Sequence, residues 1–170
     1  MSEVVVNPYQ FAVASEEFCN NLFDDDQSLT SNSRAGQQWK AGSDMVGKTL
    51  KTITVPMKYD SDGGSTDNIY GRVYDSDGST LLSTIGSVSN STLTTSFANV
   101  TFTGTATQTI EAGDWICVEV SEDVRTTQTT RYRYYYTSNP FSNTEYGYYT
   151  VSSSTWSTNA AHCMTYCVAT

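Results

Sequence analysis

The segment KTLKTITVPMKY, residues 48–59, decides the fold class. Polar and apolar side chains alternate along it, and this period of two predicts a β-strand with one buried face. Pro56 lacks the backbone N–H that a central strand donates, so we expect an edge strand or a bulge at this position. The predicted buried face consists of Ile53, Val55, Met57 and Tyr59.

The same alternation recurs on both sides of this segment. Turn sequences rich in Asp and Gly, such as DSDG at 75–78 and EAGD at 111–114, separate the apolar runs. Residues 24–34 are predicted to form a polar loop, and no helix longer than a turn or two is indicated. About eight to ten short strands with frequent turns predict an all-β fold, a jelly-roll-like antiparallel β-sandwich. The further predicted strands are 68–74, 80–84, 93–103, 115–120, 129–137, 145–151 and 161–169.

The composition argues against two classes of partner. Acidic residues outnumber basic residues 18 to 9, and the net charge of −9 disfavours nucleic acid, because phosphate binding needs clustered Lys and Arg. No apolar run is long enough for membrane insertion, and the first residues lack the basic and apolar regions of a secretion signal. A surface-type composition without an export signal is typical of a particle released by lysis, such as a virion.

The length of 170 residues predicts one domain. We assign residues 15–170 to a single jelly-roll β-sandwich and residues 1–14 to an N-terminal arm or first strand. The arm is rich in strand-forming side chains, so it can add a strand to a neighbouring molecule. Its candidate assembly residues are Val4, Val5, Val6, Tyr9 and Phe11.

Few residues point to catalysis, to a cofactor or to a metal. The one histidine, His162, lies in a predicted strand, and no P-loop, GxSxG or HExxH motif is present. The DSDG turns do not fit an EF-hand loop, which needs Gly at its sixth position and Glu at its twelfth. We therefore predict a non-enzymatic protein without cofactor or metal. A looser calcium site is the alternative to plain turns, with Asp60, Asp62 and Asp67 as ligands.

The four cysteines leave two arrangements open. On an extended strand Cys163 and Cys167 lie about 13 Å apart, beyond the roughly 7 Å between Cα atoms that a disulfide allows. Either Cys117 pairs with one of these two across neighbouring strands, or all four cysteines, Cys19 included, are free and mostly buried.

The segment RYRYYY, residues 131–136, is too polar for an ordinary core and too aromatic for an ordinary solvated strand. Alternation predicts that Tyr132, Tyr134 and Tyr136 face the core, with hydroxyls that reach partners near the sheet rim. The other face of this strand, and one face of strand 68–74, then carry Tyr and Arg, which are enriched at interfaces. This face is either a contact surface for a protein or glycan, or cross-strand packing that only stabilises the sheet. Its residues are Tyr70, Arg72, Tyr74, Arg131, Arg133 and Tyr135.

Several segments resemble one known family. They are AGQQWKAGSDMVGKTLKTITVPMK at 35–58, NIYGRVYDSDG at 68–78, LTTSFANVTFTG at 93–104 and IEAGDWICVEV at 110–120. Over roughly residues 30–157 the chain resembles jelly-roll β-sandwich modules of uncharacterised archaeal and bacterial surface proteins, and of structural proteins of tailed phages and archaeal viruses. The resemblance implies surface display, adhesion or a role in the virion, and it brings no catalytic residues.

These observations predict a non-enzymatic virion structural protein: a capsid decoration, turret or spike subunit at the virion surface or outside the cell. We expect a homo-oligomer with cyclic symmetry that contacts other virion or surface proteins. The first alternative is a carbohydrate-binding or adhesion module that uses the Tyr and Arg face. The second is an extracellular filament subunit, assembled by strand exchange through the N-terminal arm.

Overall fold

The structure is a computed structural model that describes eight segments of the chain. They are residues 16–20, 24–29, 33–59, 68–120, 130–135, 139–150, 155–164 and 166–170. The predicted arm at 1–14 and the candidate calcium ligands Asp60, Asp62 and Asp67 lie outside these segments, so both stay predictions.

Thirteen strands and one 3-10 turn make up the regular structure of the described residues. The 3-10 turn spans Asn90–Thr92, and no helix in these segments is long and apolar enough to cross a membrane. The strands are β1 (Glu17–Asn20), β2 (Asp25–Leu29), β3 (Ser33–Trp39), β4 (Thr49–Tyr59), β5 (Asn68–Tyr74), β6 (Leu81–Ser89), β7 (Ala98–Thr109), β8 (Trp115–Val120), β9 (Thr130–Tyr135), β10 (Thr144–Thr150), β11 (Thr155–Asn159), β12 (Cys163–Met164) and β13 (Tyr166–Ala169).

The strands form two antiparallel sheets packed against each other, which confirms the predicted all-β sandwich. The six-stranded sheet has the order β11-β10-β3-β8-β5-β6. The seven-stranded sheet has the order β1-β13-β4-β9-β12, with β2 beside β9 and β7 beside β4. Early strands pair with late ones in a nested order, β3 with β10, β4 with β9 and β5 with β8, as in a jelly roll.

The core between the sheets follows from the alternation in the sequence. Successive residues of a strand point to opposite faces, so the apolar positions of each strand converge on one layer. The strands predicted at 68–74 and 115–120 are β5 and β8, and each turns its aliphatic positions inwards. Fully or almost fully buried members are Ile53, Val55 and Met57 of β4, Ile69 and Val73 of β5, Phe102 of β7, and Ile116, Val118 and Val120 of β8.

Pro56 lies inside the seven-stranded sheet, so the predicted edge position is wrong. On one side β4 pairs with β7, where Pro56 is opposite Asn99. On the other side β4 pairs with β13 over residues 52–54 and with β9 over residues 57–59. Pro56 therefore stands where the partner strand changes, and its missing donor interrupts neither of those two ladders. The register shift of this strand lies between Leu50 and Thr52 instead.

The predicted polar loop at 24–34 is wrong, because it contains β2 and the beginning of β3. The sequence of β2, DDQSL, has no apolar alternation, and only Leu29 is fully buried. Pairing with β9 over residues 25–29 supplies the backbone partners that hold this segment extended. Strand formation here depends on a distant part of the chain rather than on local pattern.

Two further boundaries differ from the prediction. The strand expected at 93–103 begins only at Ala98, because residues 90–97 form the 3-10 turn and a loop. The strand expected at 161–169 is divided into β12 and β13. Short strands of this kind raise the number in the described residues to thirteen, above the predicted eight to ten.

Both Asp- and Gly-containing sequences form turns, as predicted. Gly78 and Gly113 have φ values of 68° and 104°, in the region that favours glycine. The Asp77 carboxylate accepts a hydrogen bond from the backbone N–H of Ser79 at 2.6 Å. Hydrogen bonds to the side chains of Asp75 and Ser79 hold the pKa of Asp77 below its usual value.

The two sheets come together at the edge formed by β6 and β7. A Cβ atom on Gly86 would lie 2.5 Å from the backbone nitrogen of Thr103, and one on Gly104 would lie 2.7 Å from the carbonyl oxygen of Ile85. Real Cβ atoms do not approach backbone this closely. The two glycines therefore allow the backbones of β6 and β7 to touch.

The cysteines follow neither predicted arrangement. Cys19 is disulfide-bonded, whereas Cys117 and Cys163 are free and buried. In the register of β1 with β13, Cys19 is opposite Cys167. The prediction failed because β1 has no clear strand pattern, so Cys19 had no expected neighbour. Burial raises the pKa of both free thiols, that of Cys163 to about 12.

Candidate functional site

The predicted Tyr and Arg face is divided between the two sheets. Its β5 half alternates with the buried core residues of that strand and lies on the outer side of the six-stranded sheet. Its β9 half belongs to the seven-stranded sheet, and the side chains of that half lie outside the described residues. The structure therefore does not bring the six residues onto one sheet. The β5 members are Tyr70, Arg72 and Tyr74, and the β9 members are Arg131, Arg133 and Tyr135.

Arg34 of β3 joins the β5 half from the neighbouring strands. Its guanidinium carbon lies 3.9 Å from the ring centroid of Tyr74 and 4.3 Å from that of Tyr149. Its Nη1 donates to the carbonyl oxygen of Gly78 at 3.1 Å. A desolvated arginine between two aromatic faces is strongly held. The side chain thus ties β3 to β5, to β10 and to the 75–78 turn.

Glu119 of β8 binds two members of the predicted face. Its carboxylate accepts from Arg72 Nη1 at 3.1 Å and from the Tyr74 hydroxyl, while the Arg72 guanidinium lies 4.1 Å from the ring centroid of Tyr70. Burial lowers the pKa of Arg72, but the attraction of Glu119 and Tyr74 and the hydrogen bonds to both together outweigh it, so the pKa rises. Burial and the hydrogen bond to Glu119 raise the pKa of Tyr74. Both groups therefore keep their protons at neutral pH.

A tryptophan pair extends this packed layer towards β11. Trp115 and Trp156 stack with ring centroids 4.0 Å apart and planes 18° apart. Gly147 lies beneath them, and a Cβ atom there would lie 2.6 Å from the Trp115 ring and 2.7 Å from the Trp156 ring. Tyr74 is only 3% exposed within this layer. The outer face of the six-stranded sheet is thus a second, smaller core, in which Arg34 Nε, Arg72 Nε and Trp156 Nε1 are buried without a hydrogen-bond partner among the described residues.

A second candidate site is a cleft of about 330 Å³ at the β11 end of the six-stranded sheet. One wall comes from β2 of the seven-stranded sheet and the other from β10 and β11, so the cleft opens between the two sheets. The lining contains no Asp, Glu, Lys or Arg. Its residues are Gln27, Tyr146, Tyr148, Ser157, Thr158, Asn159 and His162.

Two buried tyrosines fix the β2 wall of the cleft. The hydroxyls of Tyr132 and Tyr146 lie 3.0 and 2.7 Å from Gln27 Oε1 and within hydrogen-bonding distance of each other, and their two protons serve two of these three contacts at a time. Tyr132 is fully buried, which confirms the prediction of a core tyrosine with a satisfied hydroxyl. The amide nitrogen of Gln27 has no hydrogen-bond partner among the described residues. It is an oriented donor at the cleft surface.

The turn after β11 fixes the opposite rim. Asn159 Oδ1 accepts from the backbone N–H of Ala161 at 2.9 Å, and Asn159 Nδ2 lies 3.0 Å from His162 Nε2. The backbone N–H of His162 donates to the Asn159 carbonyl at 3.3 Å. The His162 ring lies 6.0 Å from that of Tyr146. These contacts hold an amide and an imidazole at the rim of an uncharged cleft.

Sequence reasoning missed most of both sites. Gln27 and Arg34 fall in the stretch expected to be a polar loop, and Trp156 lies in the unpredicted strand β11. One available signal was Trp156 itself, because a tryptophan in a Ser- and Thr-rich segment needs a surface to pack on. No local signal pairs Gln27 with tyrosines more than a hundred residues away.

No protein-family model matches the chain, and neither a curated protein nor a solved structure matches it. In the part of the chain that the structure describes, no group of three or more His, Cys, Asp or Glu side chains could hold a metal ion. The resemblance to jelly-roll surface modules therefore stays a prediction, and function has to be inferred from the geometry.

Proposed function

We propose that this protein is a non-enzymatic structural component of a virion surface that works by self-association. The observation that carries the proposal is the β6–β7 edge of the sandwich. Leu81 and Leu82 of β6 are 45% and 41% exposed, and no other large hydrophobic side chain of the described residues is classed as exposed. These two adjacent leucines supply apolar surface whose burial against a second molecule would be favourable.

The lack of charge at that edge supports a second copy of this chain as the partner. Residues 81–110, which include β6 and β7, contain no Asp, Glu, Lys or Arg. Two copies that each carry a net charge of −9 repel each other, and the repulsion is smallest across an uncharged surface. Proteins commonly block sheet edges with lysine or proline, and neither residue occurs in β6 or β7. This edge is therefore suited to self-contact.

One observation supports a location outside the cytosol. Cys19 is disulfide-bonded, and disulfides persist mainly where thiols are not kept reduced. The predicted resemblance to surface and virion modules favours the same location. The arm residues Val4, Val5, Val6, Tyr9 and Phe11 remain candidates for a second contact. The filament alternative depends on that arm, which lies outside the described residues.

Peptide mass spectrometry of purified virus particles from the source tests the virion assignment. We expect this chain in the particle fraction at a fixed ratio to the major capsid protein. Mild protease treatment of intact particles should remove it, because a surface subunit is accessible. Recovery of the chain only from the cell fraction would reject the assignment.

A further inference from the structure

We infer that the cleft between β2, β10 and β11 binds a neutral carbohydrate. The cleft lies at the β11 end of the six-stranded sheet, and the proposed self-association edge lies at the β6 end of the same sheet. The inference is therefore independent of the proposed virion role. It rests on the size of the cleft, its lack of charge and its mixture of aromatic and hydrogen-bonding groups.

The size and charge of the cleft limit the ligand. Its volume of about 330 Å³ lies at the lower end of the range of small-molecule sites, about 300 to 1,000 Å³. No Lys or Arg lines it, so it lacks the strong charge-assisted partner that a carboxylate, sulfate or phosphate favours. The net charge of −9 further disfavours an anionic ligand. A small neutral ligand is thus favoured over a sialylated or phosphorylated one.

Tyr148 supplies the aromatic surface that a sugar ring needs. The residue is half-buried and packs against the core, which fixes its position. Its hydroxyl has no hydrogen-bond partner among the described residues. A fixed aromatic side chain presents an apolar body for the C–H face of a pyranose and a polar tip for a ring hydroxyl.

Hydrogen-bonding groups surround this ring. The Gln27 amide nitrogen is a donor without a partner in the described segments, and its carbonyl oxygen is already held by two tyrosine hydroxyls. The hydroxyls of Ser157 and Thr158 are exposed and make no hydrogen bond to a described residue. Hydroxyl groups both donate and accept, as sugar hydroxyls do. The cleft therefore complements a polyhydroxylated ligand.

The site is fixed before any ligand arrives. Gln27 is held by Tyr132 and Tyr146, and the far rim is held by the hydrogen bonds of Asn159 with Ala161 and His162. A preformed site loses less conformational entropy when it binds. In the Tyr70, Arg72 and Tyr74 face, Arg72 Nη1 and the Tyr74 hydroxyl bind Glu119 and Tyr74 is buried, so this face is the weaker candidate.

Binding of the full chain to an array of neutral and sialylated oligosaccharides tests the inference. We expect neutral glycans to be retained and their sialylated forms to be excluded, because no Lys or Arg lines the cleft and the chain carries a net charge of −9. Retention of sialylated glycans alone, or of no glycan at all, would overturn the inference.

Two variants then locate the site on the best array ligand. Gln27→Glu keeps a side-chain oxygen beside the two tyrosine hydroxyls and replaces the donor N–H, so we expect affinity to fall roughly tenfold or more. Tyr148→Ala removes the aromatic surface and should abolish retention. Tyr59→Phe is the matched control, since Tyr59 is half-buried and lies outside the cleft.

The thermal midpoint of each variant checks that it folds. A variant that does not fold is replaced by Tyr148→Phe, for which we expect the affinity for the glycan to fall roughly threefold to tenfold. Wild-type affinity in the folded Gln27→Glu and Tyr148 variants would overturn the inference. So would a loss of binding in Tyr70→Ala while the cleft variants bind normally. The light-scattering mass of the same proteins keeps this result separate from self-association.

Discussion

At the scale of single residues, the outer layer of the six-stranded sheet depends on Tyr74. Unfolded tyrosine loses its proton near pH 10, whereas burial and the hydrogen bond to Glu119 raise the pKa of Tyr74 in the folded protein. Below about pH 10 both states keep the proton; above it only the folded state does. The free energy of unfolding should therefore fall as pH rises above about 10, and Tyr74→Phe should lessen that fall.

The measurement is urea unfolding at several pH values between neutrality and pH 11. At neutral pH Tyr74→Phe should cost about 1 to 3 kcal/mol, because Glu119 loses a hydrogen bond within the buried layer. Tyr59→Phe controls for the removal of one tyrosine hydroxyl. Equal alkaline slopes for Tyr74→Phe and the wild type would show that Tyr74 does not contribute to the pH dependence.

At the scale of the strands, the β6–β7 contact depends on the lack of a side chain at Gly86. Alanine at this position would place Cβ 2.5 Å from a backbone nitrogen, which cannot rotate away as a side chain can. The smaller entropy of the unfolded chain favours alanine by about 0.4 to 1 kcal/mol, but overpacking costs about 1 to 3 kcal/mol. Gly86→Ala should therefore lower the free energy of unfolding.

Thermal unfolding of Gly86→Ala beside Ser87→Ala measures this effect. Ser87 is the exposed neighbour on the same strand, so its substitution tests propensity without the close contact. A Gly86→Ala protein as stable as Ser87→Ala would mean that β6 and β7 can separate at no cost.

The individual strands show how much of the fold could be predicted from the sequence. β4 and β5 alternate apolar and polar residues and β8 is a short, almost wholly apolar run, and these local patterns placed the three strands correctly. β2 and β11 have no such pattern, and their extended conformation comes from pairing with β9 and β10. Both strands contribute to the cleft, so the cleft could not be predicted. Its geometry depends on registers between distant parts of the chain.

At the scale of the whole molecule, the two edges of the six-stranded sheet differ in character. The β6 edge is uncharged and carries exposed leucines, whereas the β11 edge carries an uncharged cleft with polar and aromatic walls. A subunit that self-associates through the first edge leaves the second open to solvent. A surface subunit with this arrangement can assemble through the β6 edge and still bind a glycan in the cleft at the β11 edge.

The light-scattering mass of the full chain across a range of concentrations tests the central claim, self-association through the β6–β7 edge. We expect a discrete oligomer for the wild type. In the Leu81→Ser, Leu82→Ser double variant, the dissociation constant should rise about ten- to hundredfold, as expected when two half-exposed leucines are lost from an interface. Ser142→Ala, an exposed site in the loop before β10, is the control. A wild-type monomer at every concentration would rule out self-association. An oligomer that the leucine substitutions leave unchanged would rule out the β6–β7 edge as its contact.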